Sequence, residues 1–366
     1  MSPPPSAAAP SRVAARGSAR RRTARLVGVS AVALAAALAG LQPLSALAGP
    51  EGGKVKRGEA RIETHGAVTT IRQGGSKVVI DWESFDVGAD EVVRFLQPGR
   101  ESVALNRVLD AAPSHIRGRL EANGNVWLIN RHGVIFHQSS VVNVGGLLAS
   151  TADITDDDFM AGRYEFGIPG APGARVVAEG EISFADHGLV GLIGAHAENR
   201  GVIRGRVGQV VVAGAETYAV DLAGDGLFAF EFDEATAGVS AAQAGEIVNA
   251  GGEVLISAAS ADAMVDNVVS VEGVVSADLA DGAGGAVTVS APGGEARLAG
   301  EIGARGGDGG RIDVRARRVA VSEGARLDVS GAARGGETVV IAEEHLDFAG
   351  VALARGAEGG GFIETS

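Results

Sequence analysis

The second half of the chain alternates apolar and polar residues in short bursts, and each burst opens on a glycine pair. The tracts are Gly251-Gly252-Glu253-Val254-Leu255-Ile256, Gly284-Gly285-Ala286-Val287-Thr288-Val289, Gly309-Gly310-Arg311-Ile312-Asp313-Val314, Gly335-Gly336-Glu337-Thr338-Val339-Val340 and Gly360-Gly361-Phe362-Ile363-Glu364-Thr365. Their first glycines are spaced 33, 25, 26 and 25 residues apart. A second element lies between them, centred on Gly273, Gly300, Gly324 and Gly350, where a glycine leads into a small alternating run such as Glu301-Ile302-Gly303-Ala304. A period of two is the strand period. It places Val254/Ile256, Val287/Val289 and Ile312/Val314 inward, and Thr288, Asp313 and Arg315 outward. In the Gly335 tract the inward pair is either Thr338/Val340 or Val339/Ile341. A repeat in the twenties with two or three strands is a solenoid pattern, because one coil cannot bury its apolar row alone while stacked coils can. A β-sandwich also has evenly spaced short strands, but it does not generate a two-element period held over four repeats.

The first half is less regular. Strand-like runs fall at residues 68–71, 78–81 and 92–95, and residues 120–148 are densely apolar, with runs at 126–129 and 134–136 flanking a turn. Residues 153–175 read as a long polar loop holding Asp156-Asp157-Asp158, and strand signals resume near Val176, Val202 and Val210. Residues 231–250 read as an insertion or junction, so that 49–230 and 251–366 form two successive parts.

The N-terminus differs from both. Six arginines and no acid occupy residues 1–25, an apolar run extends from Leu26 to about Leu41, and Pro43 precedes Ala46-Leu47-Ala48-Gly49. This order is that of a secretory signal peptide over residues 1–48, with cleavage between Ala48 and Gly49. The apolar run is short for a membrane-spanning helix, which needs about 20 apolar residues. Removing the six arginines takes the net charge from −13 to −19, which argues against nucleic acid or an anionic membrane surface as partner. Glycine is abundant (56 residues) and aromatic residues are few (4%), which fits strands and turns better than helices, where an interior glycine costs about 1 kcal/mol. The absence of cysteine fits either a core large enough to dispense with staples or a chain that crosses a second membrane unfolded.

One stretch carries a more specific pattern. Val103-Ala104-Leu105-Asn106-Arg107-Val108 is followed by Pro113-Ser114-His115-Ile116-Arg117-Gly118. Then come Leu120-Glu121-Ala122-Asn123-Gly124-Asn125-Val126-Trp127-Leu128-Ile129-Asn130-Arg131-His132-Gly133-Val134 and, further on, Gly145-Gly146-Leu147-Leu148-Ala149-Ser150. These segments, in this order, resemble the secretion domain of two-partner-secretion exoproteins, the filamentous-haemagglutinin N-terminal family, over about residues 54–230. The family's Asn-Pro-Asn-Gly turn reads Asn130-Arg131-His132-Gly133 here. Loss of the proline frees φ, and His132 is expected to take the left-handed position in place of asparagine. The resemblance implies an all-β, right-handed parallel β-helix with an N-terminal cap and extra-helical hairpins. It implies a signal peptide leading to the periplasm, recognition by the periplasmic domains of an outer-membrane β-barrel transporter, and passage outward unfolded. It further implies an adhesin- or haemagglutinin-like role with a host-cell or surface ligand.

Asn106 and Asn130 are expected where strands end, either as turn caps or as contacts read by the transporter together with Arg107, Arg131, His132 and Gly133. No cofactor is expected. Asp156–Asp158 read as a solvated charge run, and His132 and His137 lack partners at metal-ligand spacing. No Gly-x-Ser-x-Gly elbow occurs. The alternative functions are an extracellular carbohydrate-active enzyme on the same solenoid and a truncated exoprotein remnant.

Overall fold

The computed structural model describes residues 49–222, 228–232, 238–258 and 267–366. The signal peptide read from the sequence, with Ala46 and Ala48, lies outside the described residues; Gly49 begins them. The expected parallel β-helix, with its N-terminal cap and an extra-helical hairpin, is the architecture observed.

Each coil turns through up to three strands, and each strand pairs in parallel with its counterpart in the next coil. One stack runs from Val68–Gln73 through Val141–Val144 and Glu246–Ala250 to Val351–Leu353. Another runs from Lys77–Trp82 through Asn125–Asn130 and Gln209–Gly214 to Phe362–Thr365. Two antiparallel strands close the first coil. Lys54–Arg57 pairs with Lys77–Trp82, and Ala60–His65 pairs with Val68–Gln73. Lysine and arginine on the exposed Lys54–Arg57 blunt what would otherwise be an open sheet edge.

Strand alternation aligns apolar side chains into columns along the helix axis. Val212, Ile256, Val289, Val314 and Val340 stand in register, each fully buried. Burial of each such side chain is worth about 1.5–3 kcal/mol. The inward and outward positions expected for the Gly251, Gly284 and Gly309 tracts are those found. In the Gly335 tract, Ile312 lies opposite Thr338 and Val314 opposite Val340, so Thr338/Val340 is the inward pair.

The glycine pairs mark corners where coils approach too closely for a side chain. A Cβ on Gly310 would lie 2.1 Å from the carbonyl oxygen of Gly285, and one on Gly336 would lie 2.0 Å from that of Gly310. The repeat is therefore a steric requirement of stacking.

Two sequence expectations need correction. Residues 153–175 are not simply a loop, because Asp156–Ala161 is a helix capped by the Thr155 hydroxyl, with three aspartates in its first turn. Threonine at the N-cap and acids at the positive helix end favour this local structure. Residues 231–250 are not one junction either. Ser240–Gln243 and Glu246–Ala250 are coil strands in register with both neighbours. The insertion is the hairpin of Tyr218–Leu222 and Phe228–Phe232, joined by Tyr164–Phe166 into a three-stranded antiparallel sheet.

This sheet and the helix build a second apolar core outside the solenoid. Leu105, Trp127, Leu148, Ile193 and Val211 point outward from the coils and meet Phe159, Tyr164, Phe166 and Tyr218. Strands beneath the cover are buried on both faces, as in Asn125–Asn130 and Gln209–Gly214. That is why the first half reads as continuous apolar runs and the second half alternates.

Gly310→Ala is expected to cost about 1–3 kcal/mol by overpacking, whereas Gly324→Ala, whose Cβ meets nothing closer than 4.0 Å, is expected to be neutral or slightly stabilising. Urea denaturation of the two variants checks the contrast.

Candidate functional site

Asn106 and Arg107 are neighbours on Val103–Val108, so their side chains leave opposite faces of the strand. Asn106 points into the solenoid, in the aliphatic column between Ile80 and Leu128. It is fully buried. Its Oδ1 accepts from Trp82 Nε1 at 3.0 Å, and its Nδ2 donates to the carbonyls of Ala104 and Trp127 at 3.0 and 3.3 Å. Asn106 therefore does not sit at a strand end as expected. It satisfies the indole N–H of a buried tryptophan, a donor that would be costly to leave unpaired.

Arg107 points outward under the extra-helical cover, and its side chain is 14% exposed. Its Nε donates to both carboxylate oxygens of Asp153 at 3.0 and 2.9 Å. NH1 donates to Asp81 at 3.1 Å and Asp156 at 2.7 Å, and NH2 donates to the Ile154 carbonyl at 2.6 Å. Burial alone would lower the affinity of this group for its proton. Asp153 and Asp156 outweigh that effect and hold the guanidinium above its ordinary range. The fork geometry of arginine lets one residue serve all four partners.

Asn130 ends its strand and is fully buried. Its Nδ2 donates to the Ala112 carbonyl and to Ser114 Oγ, both at 3.0 Å, and its Oδ1 accepts from the His132 amide at 2.8 Å. The Gly133 amide closes the turn onto the Asn130 carbonyl at 2.9 Å. The left-handed position belongs to Gly133, with φ of 124°, and not to His132. Gly133 also lies against the next coil, where a Cβ would meet the Arg175 carbonyl at 2.8 Å. Arg131 is exposed; its Nε donates to the Pro169 carbonyl at 3.0 Å, and its carbonyl accepts from the Ala171 amide at 2.7 Å.

These residues converge on one task. The segment 153–175 leaves the coils and returns, its two ends bridged by Asp153 and Ile168. Arg107 grips the outgoing end at 153–156 and Arg131 the returning end at 169–171. Sequence reasoning missed Asp81, Asp153 and Asp156 as partners of Arg107, and Lys77, which stands over the rings of Tyr164 and Phe159 at 4.9 and 5.5 Å. The Thr155-Asp156-Asp157-Asp158 capping pattern was the available signal. The three aspartates diverge. Asp156 meets Arg107, Asp157 meets Arg57 and Asp158 meets Arg163.

His137 stacks beside His115, with Nδ1 of His115 2.9 Å from Nε2 of His137. Burial, Arg117 and His115 together hold His137 below its ordinary value of 6.5. Among the described residues no three His, Cys, Asp or Glu side chains are placed to hold a metal ion.

The family model for the TPS secretion domain matches residues 46–302. The solved HMW1 secretion domain of Haemophilus influenzae superposes with a TM-score of 0.74 at 26% identity, covering 87% of this chain and 94% of that one. A heme/hemopexin-binding protein of Haemophilus influenzae is 43% identical over 118 residues, which are 32% of this chain and 13% of the relative. A second protein of that name, from a named strain of the same species, is 47% identical over 105 residues, 29% of this chain and 12% of the relative.

Arg107→Met leaves Asp153 and Asp156 without their shared cation, while Asp81 keeps only Lys56 at 3.8 Å, and breaking this largely buried cluster is expected to cost about 3 kcal/mol. Hydrogen exchange should show residues 153–166 losing protection while the coil strands keep theirs. The lowered proton affinity of His137 has its own consequence. The unfolded chain binds this proton more readily, so stability falls as pH drops below about 6.5 and continues to fall until the folded protein also takes the proton. His137→Gln should flatten that slope in urea denaturation across the same pH range.

Proposed function

Since the chain belongs to the TPS secretion-domain family, we propose that its coils from residue 49 onward are an export address that the transporter reads before they fold. TPS secretion domains are recognised by outer-membrane transporter partners, and such a domain implies secretion through the outer membrane of a Gram-negative cell. The observation that carries the proposal is the burial of Asn106, Asn130 and Gly133, together with the engagement of the partly buried Arg107 by Asp81, Asp153, Asp156 and the Ile154 carbonyl. A partner that contacts the buried side chains does so while the chain is extended; of the expected recognition residues, Arg131 is exposed, His132 is half-buried, and Arg107 keeps a small exposed fraction that its carboxylate partners already engage. Residues 1–48 act as the signal peptide that delivers the chain to the periplasm, where the periplasmic domains of the barrel capture it.

The same residues then serve folding. Asn106 seats Trp82, Asn130 shapes the turn, and Arg107 and Arg131 pin the cover over the outer core. Folding outside, coil upon coil, biases movement outward. We read the released protein as a non-enzymatic, adhesin-like scaffold displayed or shed at the cell surface. The chain covers about an eighth of the heme/hemopexin-binding relatives it matches. That overlap supports a shared export route.

Co-expression with and without a partner barrel tests the proposal. The chain should reach the medium only with the barrel, and Asn130→Ala should lower the amount released. Release without any barrel, or undiminished export of Asn130→Ala, would contradict it.

A further inference from the structure

At one corner of the later coils, three successive coils leave a gap and line it with cationic and amide groups. Asn267, Glu295 and Arg318 lie at successive levels, with Val268 opposite Glu295 and Glu295 opposite Arg318. The corner of the middle coil is Pro292-Gly293-Gly294, which has almost no side chain to fill the space. A Cβ on Gly294 would stand 2.6 Å from the Cβ of Asn267. Below and above this glycine, Asn267 and Arg317 border a cavity of about 330 Å³ that Glu295, Arg297 and Arg318 also line.

The polar groups there are under-used. Asn267 is 1% exposed, yet neither its amide nitrogen nor its oxygen has a hydrogen-bond partner. The Nε of Arg317 is buried without a partner too. Among the described residues Arg317 has one ion-pair partner, Glu344, which is 3.8 Å away and more than half exposed. Arg318 has no carboxylate of a described residue within ion-pair distance, although its charge helps Arg297 hold Glu295 ionised. Among the described residues the one acid lining the gap is Glu295, and Arg297 donates to both of its oxygens at 2.9 Å. Buried donors without acceptors are uncommon and costly in native proteins. Two guanidinium groups with an amide N–H between coils suit a compact acceptor that presents several oxygens at once.

We propose that this corner binds a tetrahedral oxyanion of the sulfate or phosphate class, held by Arg317 and Arg318 with the Asn267 amide beneath. The site is notable for its setting, since the chain as a whole carries −13 and would repel such ions elsewhere. The size of the cavity admits the oxyanion either free or as an ester on a larger molecule.

Isothermal titration of the purified chain at constant ionic strength tests this, with sodium sulfate, sodium phosphate and a sulfated disaccharide as probes. Saturable binding at one site is expected, weakened about tenfold or more in Arg318→Gln and in Arg317→Gln, as loss of one charge-assisted hydrogen bond implies. Arg318 is exposed, so its variant should fold even if that of Arg317 does not. Tighter binding of the disaccharide than of sulfate would identify an ester as the natural occupant; the reverse would identify the free ion. Excluded salts such as sulfate raise protein stability without any site. No saturable heat, or a sulfate-induced rise in melting temperature that is equal in the native chain and in Arg318→Gln, would overturn the proposal.

Discussion

Every part of this molecule depends on one coil lying in register on the coil before it. The backbone hydrogen bonds run between coils, so no coil can satisfy its own amides and carbonyls alone. The side-chain columns follow from that register, and so does the glycine requirement. Where Gly310 passes Gly285 and Gly336 passes Gly310, the approach leaves 2.0–2.1 Å for an atom that would need far more. A fold of this kind grows by addition to an existing end. The antiparallel strands Lys54–Arg57 and Ala60–His65 close the other end.

On the early coils a second constraint is added. Their outer face is apolar and must be covered, and the cover is an excursion of the chain that has to be tied down. Arg107 and Arg131 provide the ties, one by a cluster of carboxylates and the other by backbone carbonyl and amide contacts. The segment 103–133 thus links inner core, turn and outer cover. Most of its residues are spent on internal contacts once the protein has folded.

The periodic half of the fold was legible in the sequence because its physics is local. Glycine pairs recur once per coil, and alternation with a period of two assigns Val287/Val289 and Ile312/Val314 inward without knowledge of neighbours. What escaped was set by distant partners. Asn106 resembles a turn residue by type, but its role comes from Trp82, 24 positions away in the preceding coil. The partners of Arg107 lie 26 to 49 positions away, and no spacing rule joins them. The helix Asp156–Ala161 was a local signal outweighed by its polarity, and the strands Ser240–Gln243 and Glu246–Ala250 were too rich in alanine and polar residues to stand out. The Asn130 turn was anticipated, while its left-handed residue proved to be Gly133 because the next coil passes too close for any side chain there.

The central claim is that the transporter and the folded interior compete for the same residues. Its most direct test is the affinity of the transporter's periplasmic region for this chain in two states, kept unfolded by mild denaturant and fully folded, with the partner stable in both conditions. The account predicts binding to the unfolded chain and little or none to the folded one. Equal binding to the folded protein would contradict it and would move recognition to the exposed surface.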